Sequence, residues 1–358
     1  MKRILLAAAA GLAGLAFPAT AGAHAGPAVF TLSNQASGNQ VLVFARGAGG
    51  SLAAAGAVAT GGTGTGAAGT SQGALALSPD GRRLYAVNSA SNTVTVFAVH
   101  GTHLHRLAVV PSGGAGPASV TAAHGRVYLV NAGGLNVVGF WATAHGLARI
   151  DGGTAPLASG DSAPGQISLN PAGTALAVTN TGSNTIDTVT LNHDGSIRRL
   201  QSFPSAGTTP FGFGFTHSGV LVVTDAHQTP VSAASSYRIG HTGALHLLSG
   251  PVASNELAAC WVAIKDNIAY TADAASGVIS AFRVGHGGRL HLAAAVAGNP
   301  GATSKPLDES ITPDGRYLDV LTAGLSSITT FRIGDDGGLT PVGSVGGLPA
   351  GDESVASS

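Results

Sequence analysis

Asp308 and Glu309 are adjacent carboxylates, with Lys305 just upstream and Glu256 some distance before them. Only 9% of the chain is charged, so four charges at equivalent points of a repeating pattern stand out. Carboxylates crowded at one site raise one another's pKa and can act as general bases toward water. Asp308, Glu256 and Glu309 are therefore the candidate catalytic residues. Lys305 is the one cation expected beside them, and Phe211 can supply an apolar wall. A second series, Asn34, Asn88, Asn131, Asn180, Asp225 and Asp273, recurs at comparable points, with Ala323 at the seventh. A ring of such oxygens can hold a hydroxylated ligand or a hard cation such as calcium. Asn and Asp also cap turns by bonding their own backbone, and the loop charges also suit solvent. Both pairs of readings stay open.

Other candidates fall to position. His100, His124, His145, His193, His241 and His286 sit beside turn glycines, and no His-x-x-x-His or Cys-His cluster has metal-ligand spacing. The single cysteine, Cys260, lies beside Trp261 in an apolar segment and reads as a buried thiol. It also rules out an intramolecular disulfide.

The elements that place these residues repeat. Aligning the copies puts an anchor at Phe44, Phe97, Phe140, Val189, Tyr237, Phe282 and Phe331, at steps of 53, 43, 49, 48, 45 and 49 residues. Asn92–Phe97 is the clearest copy. One unit reads as four strands: Ala74–Leu77, a Ser78-Pro79-Asp80-Gly81 turn, Leu84–Val87, a turn, Thr93–Val99, a His100-Gly101 turn and Leu104–Val110. Pro presets φ in the first turn and Gly accepts positive φ. A repeat of this length built of strands and turns predicts an all-β, seven-bladed β-propeller of four-stranded blades. The first blade starts at its second strand. Glu353–Ala356 resembles the inner strand beginning Ala118-Ser119-Val120, so the C-terminal strand is expected to complete the N-terminal blade and close the ring. The inner strands then start at one mouth of a central channel, where the second strands end. Both candidate sets belong to that mouth.

Residues 1–23 have the form of a secretory signal peptide: a basic Met1-Lys2-Arg3, an apolar Ile4–Phe17 and a small-residue Ala21-Gly22-Ala23, with cleavage after Ala23 or Ala25. A single propeller over 24–358 and a secreted or periplasmic location follow. No later stretch reaches 18 uninterrupted apolar residues, so no membrane span is expected after signal removal. Without Lys2 and Arg3 the chain carries 15 basic and 17 acidic residues, unlike the basic footprint of a nucleic-acid binder. Arg82, Arg83 and Arg316 follow turns at the opposite mouth. A phosphorylated substrate wants cationic clamps, so a sugar phosphate is disfavoured.

Several segments resemble the lactonase-type propellers, which include 6-phosphogluconolactonase-like and carboxymuconate-cyclase-like proteins. They are Thr209-Pro210-Phe211-Gly212-Phe213-Gly214-Phe215, Ser235-Ser236-Tyr237-Arg238, Ala258-Ala259-Cys260-Trp261-Val262-Ala263, Ser78–Tyr85, Pro306-Leu307-Asp308 and Thr312–Leu318. The resemblance implies a seven-bladed fold and the hydrolysis or formation of a lactone ring. Two functions are expected on these grounds. One is a secreted lactone hydrolase, in which Asp308 or Glu256 activates water. The Asn/Asp ring then holds the lactone, or a cation polarising its carbonyl. The other is a non-catalytic propeller that binds a small ligand, a glycan or a protein partner at the same mouth.

Overall fold

The computed structural model describes residues 26–67, 71–158, 160, 162–227 and 231–358. The expected leader, with both cleavage points, lies outside the described residues. Seven antiparallel four-stranded sheets are present, as the repeat requires. The first blade runs outward from Glu353–Ser357 through Ala28–Leu32 and Gln40–Arg46 to Leu52–Ala59. The C-terminal strand is thus innermost in the N-terminal blade, paired with its first strand from Val29↔Ser357 to Leu32↔Glu353. The other inner strands are Leu75–Leu77, Pro117–Ala123, Pro164–Leu169, Pro210–Phe215, Ala259–Lys265 and Pro306–Ile311, in blades two to seven. Each touches the next around the ring, and Glu353–Ser357 touches both Pro306–Ile311 and Leu75–Leu77. Closure leaves no open inner edge.

The anchors hold the blades together. Phe44, Phe97, Phe140, Val189, Tyr237, Phe282 and Phe331 lie on the third strands, and none is more than 2% exposed. Apolar clusters fill the spaces between blades, one of them joining Val29 and Phe44 of the first blade to Leu321 and Ile328 of the seventh. Outer strands alternate exposed and half-buried residues, as in Ile197–Pro204. Four inner strands begin with Pro, at the position where a missing N–H does least harm to the ladder.

The seam between the seventh and first blades has a polar clasp. Arg46 and Asp319 form a buried ion pair. Asp319 also accepts hydrogen bonds from Ser357 Oγ at 2.6 Å and Thr330 Oγ1 at 2.7 Å. The Tyr317 ring lies 5.1 Å from the Arg46 guanidinium carbon, within cation–π range. No helix among the described residues is long and apolar enough to cross a membrane.

Candidate functional site

The inner strand of the second blade is three residues long, against six or seven in blades three to seven. The segment before it, Ser71-Gln72-Gly73, leaves the blade and crosses the axis. Ser71 Oγ donates to Ala118 O at 2.8 Å and Ser119 Oγ to Gln72 O at 2.6 Å, both in the third blade. Gln72 N donates to Gly165 O of the fourth at 3.0 Å. The Gln72 amide meets Val262 of the sixth twice, Nε2 donating to its carbonyl at 2.8 Å and Oε1 accepting from its N–H at 3.2 Å. Gly73 N reaches Asp308 Oδ2 of the seventh at 3.4 Å. A Cβ on Gly212, in the fifth blade, would sit 2.3 Å from Gln72 Oε1, so glycine there lets the backbone close on the amide. A segment that touches blades on every side can lie only on the axis. The chain fills its own channel at this height.

Six of the seven inner strands are entered through a left-handed residue, and the closing strand contains one. Gly73, Gly116, Ala163, Thr209, Ala258 and Lys305 stand at or next to the starts, and Ser354 lies within the closing strand, with φ from 43° to 77°. Non-glycine residues rarely adopt this region, and surrounding structure must hold them there. Asp308 bonds to the first blade and Glu309 to the sixth. Asp308 Oδ2 accepts from Ser354 Oγ at 2.6 Å, and its Oδ1 from Glu309 N at 2.9 Å. Glu309 Oε1 accepts from Ala263 N at 2.9 Å, while its Oε2 has no hydrogen-bond partner.

The structure puts Asp308 within electrostatic reach of Glu309 and Glu353, and Glu353 within reach of Asp352; Asp352 and Glu353 are two carboxylates that sequence reasoning missed. All four are nearly buried. Asp352 Oδ2 accepts from Thr31 Oγ1 at 2.8 Å; Asp352 Oδ1 and Glu353 Oε1 have no partner. Burial pushes Asp308 up to about 6, with the Ser354 hydroxyl pulling the other way. Glu353 is pushed up to about 8 by burial and by the charge of Asp308. Glu309 and Asp352 are raised well above the usual range, chiefly by burial. The missed residues had a signal: Glu353 opens the segment already aligned with inner-strand starts.

Glu256 stands apart from Asp308. It is half-buried, its carbonyl accepts from Ser232 N at 2.9 Å, and its charge acts on Asp273. Asp273 in turn acts on Glu309. An arc of carboxylates therefore runs across the sixth, seventh and first blades. Lys305 is exposed and makes no ion pair among the described residues. Phe211 packs edge-on against Trp261, ring centres 5.1 Å apart, and Trp261 Nε1 donates to Ser71 O at 3.3 Å. This apolar pair lies against the crosspiece.

Asn88, Asn131, Asn180, Asp225 and Asp273 end the second strands, as the repeat predicted, with no surface exposed. Asn88 Nδ2 donates to Thr93 Oγ1 at 3.0 Å and Thr95 Oγ1 at 2.9 Å. Asn131 donates to Asn136 Oδ1 at 3.0 Å and Asn180 to Thr185 Oγ1 at 3.3 Å. Asp225 accepts from Ser235 and Asp273 from Ser280, each at 2.6 Å. Inter-blade loops lie over several of them. A Cβ on Gly207 would fall 2.1 Å from Asp225 Cγ, and one on Gly62 2.5 Å from Asn88 Cγ. Burial, with one oxygen left unpaired on each, raises Asp225 to about 7 and Asp273 to about 8. Among the described residues no three His, Cys, Asp or Glu side chains converge closely enough to cage a metal ion. Burial raises the Cys260 thiol to about 12, so it stays protonated.

Three solved structures share the fold. A 6-phosphogluconolactonase candidate from Bacteroides fragilis aligns with TM-score 0.70 at 17% identity, over 93% of this chain and 98% of the other. A protein from Lactobacillus plantarum gives 0.72 at 18%, over 93% and 99%. The periplasmic gluconolactonase of Pseudomonas aeruginosa gives 0.53 at 14%, over 92% and 85%. Among curated proteins none matches the sequence significantly. The family described as "Lactonase, 7-bladed beta-propeller" matches residues 30–136 and 147–262. That match spans more than half of the sequence, and the chain belongs to the family of seven-bladed lactonase propellers.

Proposed function

We propose that this protein hydrolyses a neutral, unphosphorylated lactone at the mouth where the inner strands begin. The observation that carries the reading is the placement of Asp308, buried at the start of an inner strand and bonded to Ser354 across the ring's closing seam. At pH 7 a carboxyl group near 6 is mostly ionised and one near 8 mostly protonated. Two carboxyl groups split in this way suit base and acid roles. Asp308 takes a proton from water, and the resulting hydroxide adds to the lactone carbonyl. The ring C–O bond then breaks, and Glu353 gives its proton to the departing alkoxide. The product is a hydroxy acid. Burial pushes the Glu309 carboxyl well above the usual range, and its unpartnered Oε2 is the atom available to the carbonyl oxygen. Phe211 and Trp261 supply the apolar side. The negative charge of Asp308 disfavours a phosphorylated substrate, for which the mouth offers Lys305 alone among the candidate residues.

The test is turnover of aldono-, aliphatic and 6-phosphogluconolactones by wild type, Asp308→Asn, Glu353→Gln and Glu256→Ala, with calcium and with chelator. Turnover of neutral lactones that Asp308→Asn abolishes supports the reading. Loss on chelation gives a cation the carbonyl-polarising role. Preference for the phosphorylated lactone, or full activity in Asp308→Asn, sinks it.

The crosspiece favours a second reading. With the axis filled and Asp308 only 3% exposed, the mouth also suits a non-catalytic role in binding a small ligand, a glycan or a protein partner. Absence of turnover across the panel, in folded protein, selects it.

We infer also that the protein is exported, to the periplasm or beyond the cell, after removal of residues 1–23. The leader pattern supports this, and so does a structural neighbour named as periplasmic. Fractionation and N-terminal sequencing test it; the mature chain is expected to begin at His24 or Gly26.

A further inference from the structure

Grooves between neighbouring blades open on the side away from Asp308, and the repeat makes them controls for one another. The groove between the second and third blades has a volume of about 290 Å³ and includes Arg83, Arg126 and Asp80. The one between the sixth and seventh, about 410 Å³, includes Arg283 and Asp336. In both, an arginine shares the groove with a carboxylate. The groove between the fourth and fifth blades is larger, about 550 Å³, and has Arg198, Arg238 and His241 in its wall with no carboxylate.

One of these arginines repeats a structural device. Arg83, Arg126, Arg198 and Arg283 each donate one Nη2 to a turn carbonyl of the next blade, at 3.1, 2.9, 3.0 and 2.7 Å. That bond uses one of the five donors of a guanidinium. Arg238 is the addition. It donates Nη1 to Ser218 O at 3.2 Å, within its own blade. Arg198 and Arg238 are exposed, and neither has a carboxylate partner among the described residues. Two unneutralised guanidinium groups thus share one cavity with the hydroxyls of Thr174 and Ser218. Guanidinium forks match carboxylate and phosphate oxygens in geometry as well as charge. The volume falls in the range of small-molecule sites.

We propose that the groove between the fourth and fifth blades binds a small organic oxyanion carrying hydroxyl groups. The site is separate from the channel mouth and does not depend on lactone hydrolysis. Calorimetry on the mature chain at low ionic strength tests it, with gluconate as the carboxylate probe, glucose 6-phosphate as the phosphate probe and glucose as the neutral control. One anion or both should bind saturably at one site, and glucose should not; the anion preferred identifies the charged group recognised. Arg238→Ala should weaken binding at least about tenfold, the scale of a charge-assisted hydrogen bond. Arg332→Ala, an exposed arginine of the seventh blade, should change nothing. Arg198→Ala should weaken binding too, but it also cuts a bond between blades, so Arg238→Ala decides. No saturable binding of either anion overturns the proposal. So does unchanged affinity in Arg238→Ala, or an equal loss in Arg332→Ala.

Discussion

The hydroxyl of Ser354 donates a 2.6 Å hydrogen bond to the carboxylate of Asp308, joining the strand that closes the ring to the inner strand of the last blade. The bond favours the ionised acid and opposes the effect of burial. On the hydrolase reading, kcat/KM should trace a bell between an acid limb near 6 and an alkaline limb near 8. Ser354→Ala should move the acid limb upward and leave the alkaline limb nearly in place. A pH–rate profile of the two proteins checks this. An acid limb that stays fixed would remove Asp308 from the role of base.

Asp319 and Arg46 form the buried pair at the same seam. Removing one partner of such a pair leaves an uncompensated charge and costs about 3–5 kcal/mol. Asp319→Ala should lose that much in denaturant unfolding. Replacing both residues with apolar ones of similar size should lose much less.

Asp225 and Asp273 hold their protons to about 7 and about 8 in the folded chain. The unfolded chain releases them near 3.9, so between these values the native state binds more protons. Stability is therefore full below about pH 4 for these groups and falls as pH rises toward 8. Asp273→Asn, which keeps an acceptor for Ser280, should flatten the fall. It should raise stability by on the order of 5 kcal/mol at pH 9 and little at pH 4. Thermal unfolding across pH measures the slope; a variant that keeps the wild-type slope contradicts the assignment.

Gln72 pairs with both backbone groups of Val262. Gln72→Ala strands a buried N–H and C=O, at about 1–3 kcal/mol for each unsatisfied group. The midpoint of unfolding should fall accordingly. Gln72→Glu should be worse than Gln72→Ala above neutral pH, because it adds a charge near Asp308 and lacks the amide donor.

The blade was legible because its signals are local. Ser78-Pro79-Asp80-Gly81 prescribes its own turn, and Gly81 adopts φ 67° as the type requires. The anchor aromatics recur at strand spacing and are buried where expected. Asp308 and Glu309 were legible as rare charges at the start of an inner strand. The crosspiece was not. Ser71, Gln72 and Gly73 are ordinary loop residues, and nothing in their types specifies partners in five other blades. The left-handed entries were hidden too, since Ala163, Thr209, Ala258 and Lys305 share no chemistry that favours positive φ. The Asn and Asp series was visible as a pattern, but its burial depends on loops such as the one at Gly207, whose approach is set by tertiary packing.

The crosspiece bears on how the chain assembles. Its bonds to Ser119, Val262 and Asp308 join residues 47, 190 and 235 positions apart. Contacts of such long sequence separation are slow to form. The segment precedes all of these partners in the chain, so its bonds are complete only once the later blades arrive. The central tripeptide then acts as a keystone, set last, and the ring it locks cannot be read as seven blades folding one by one.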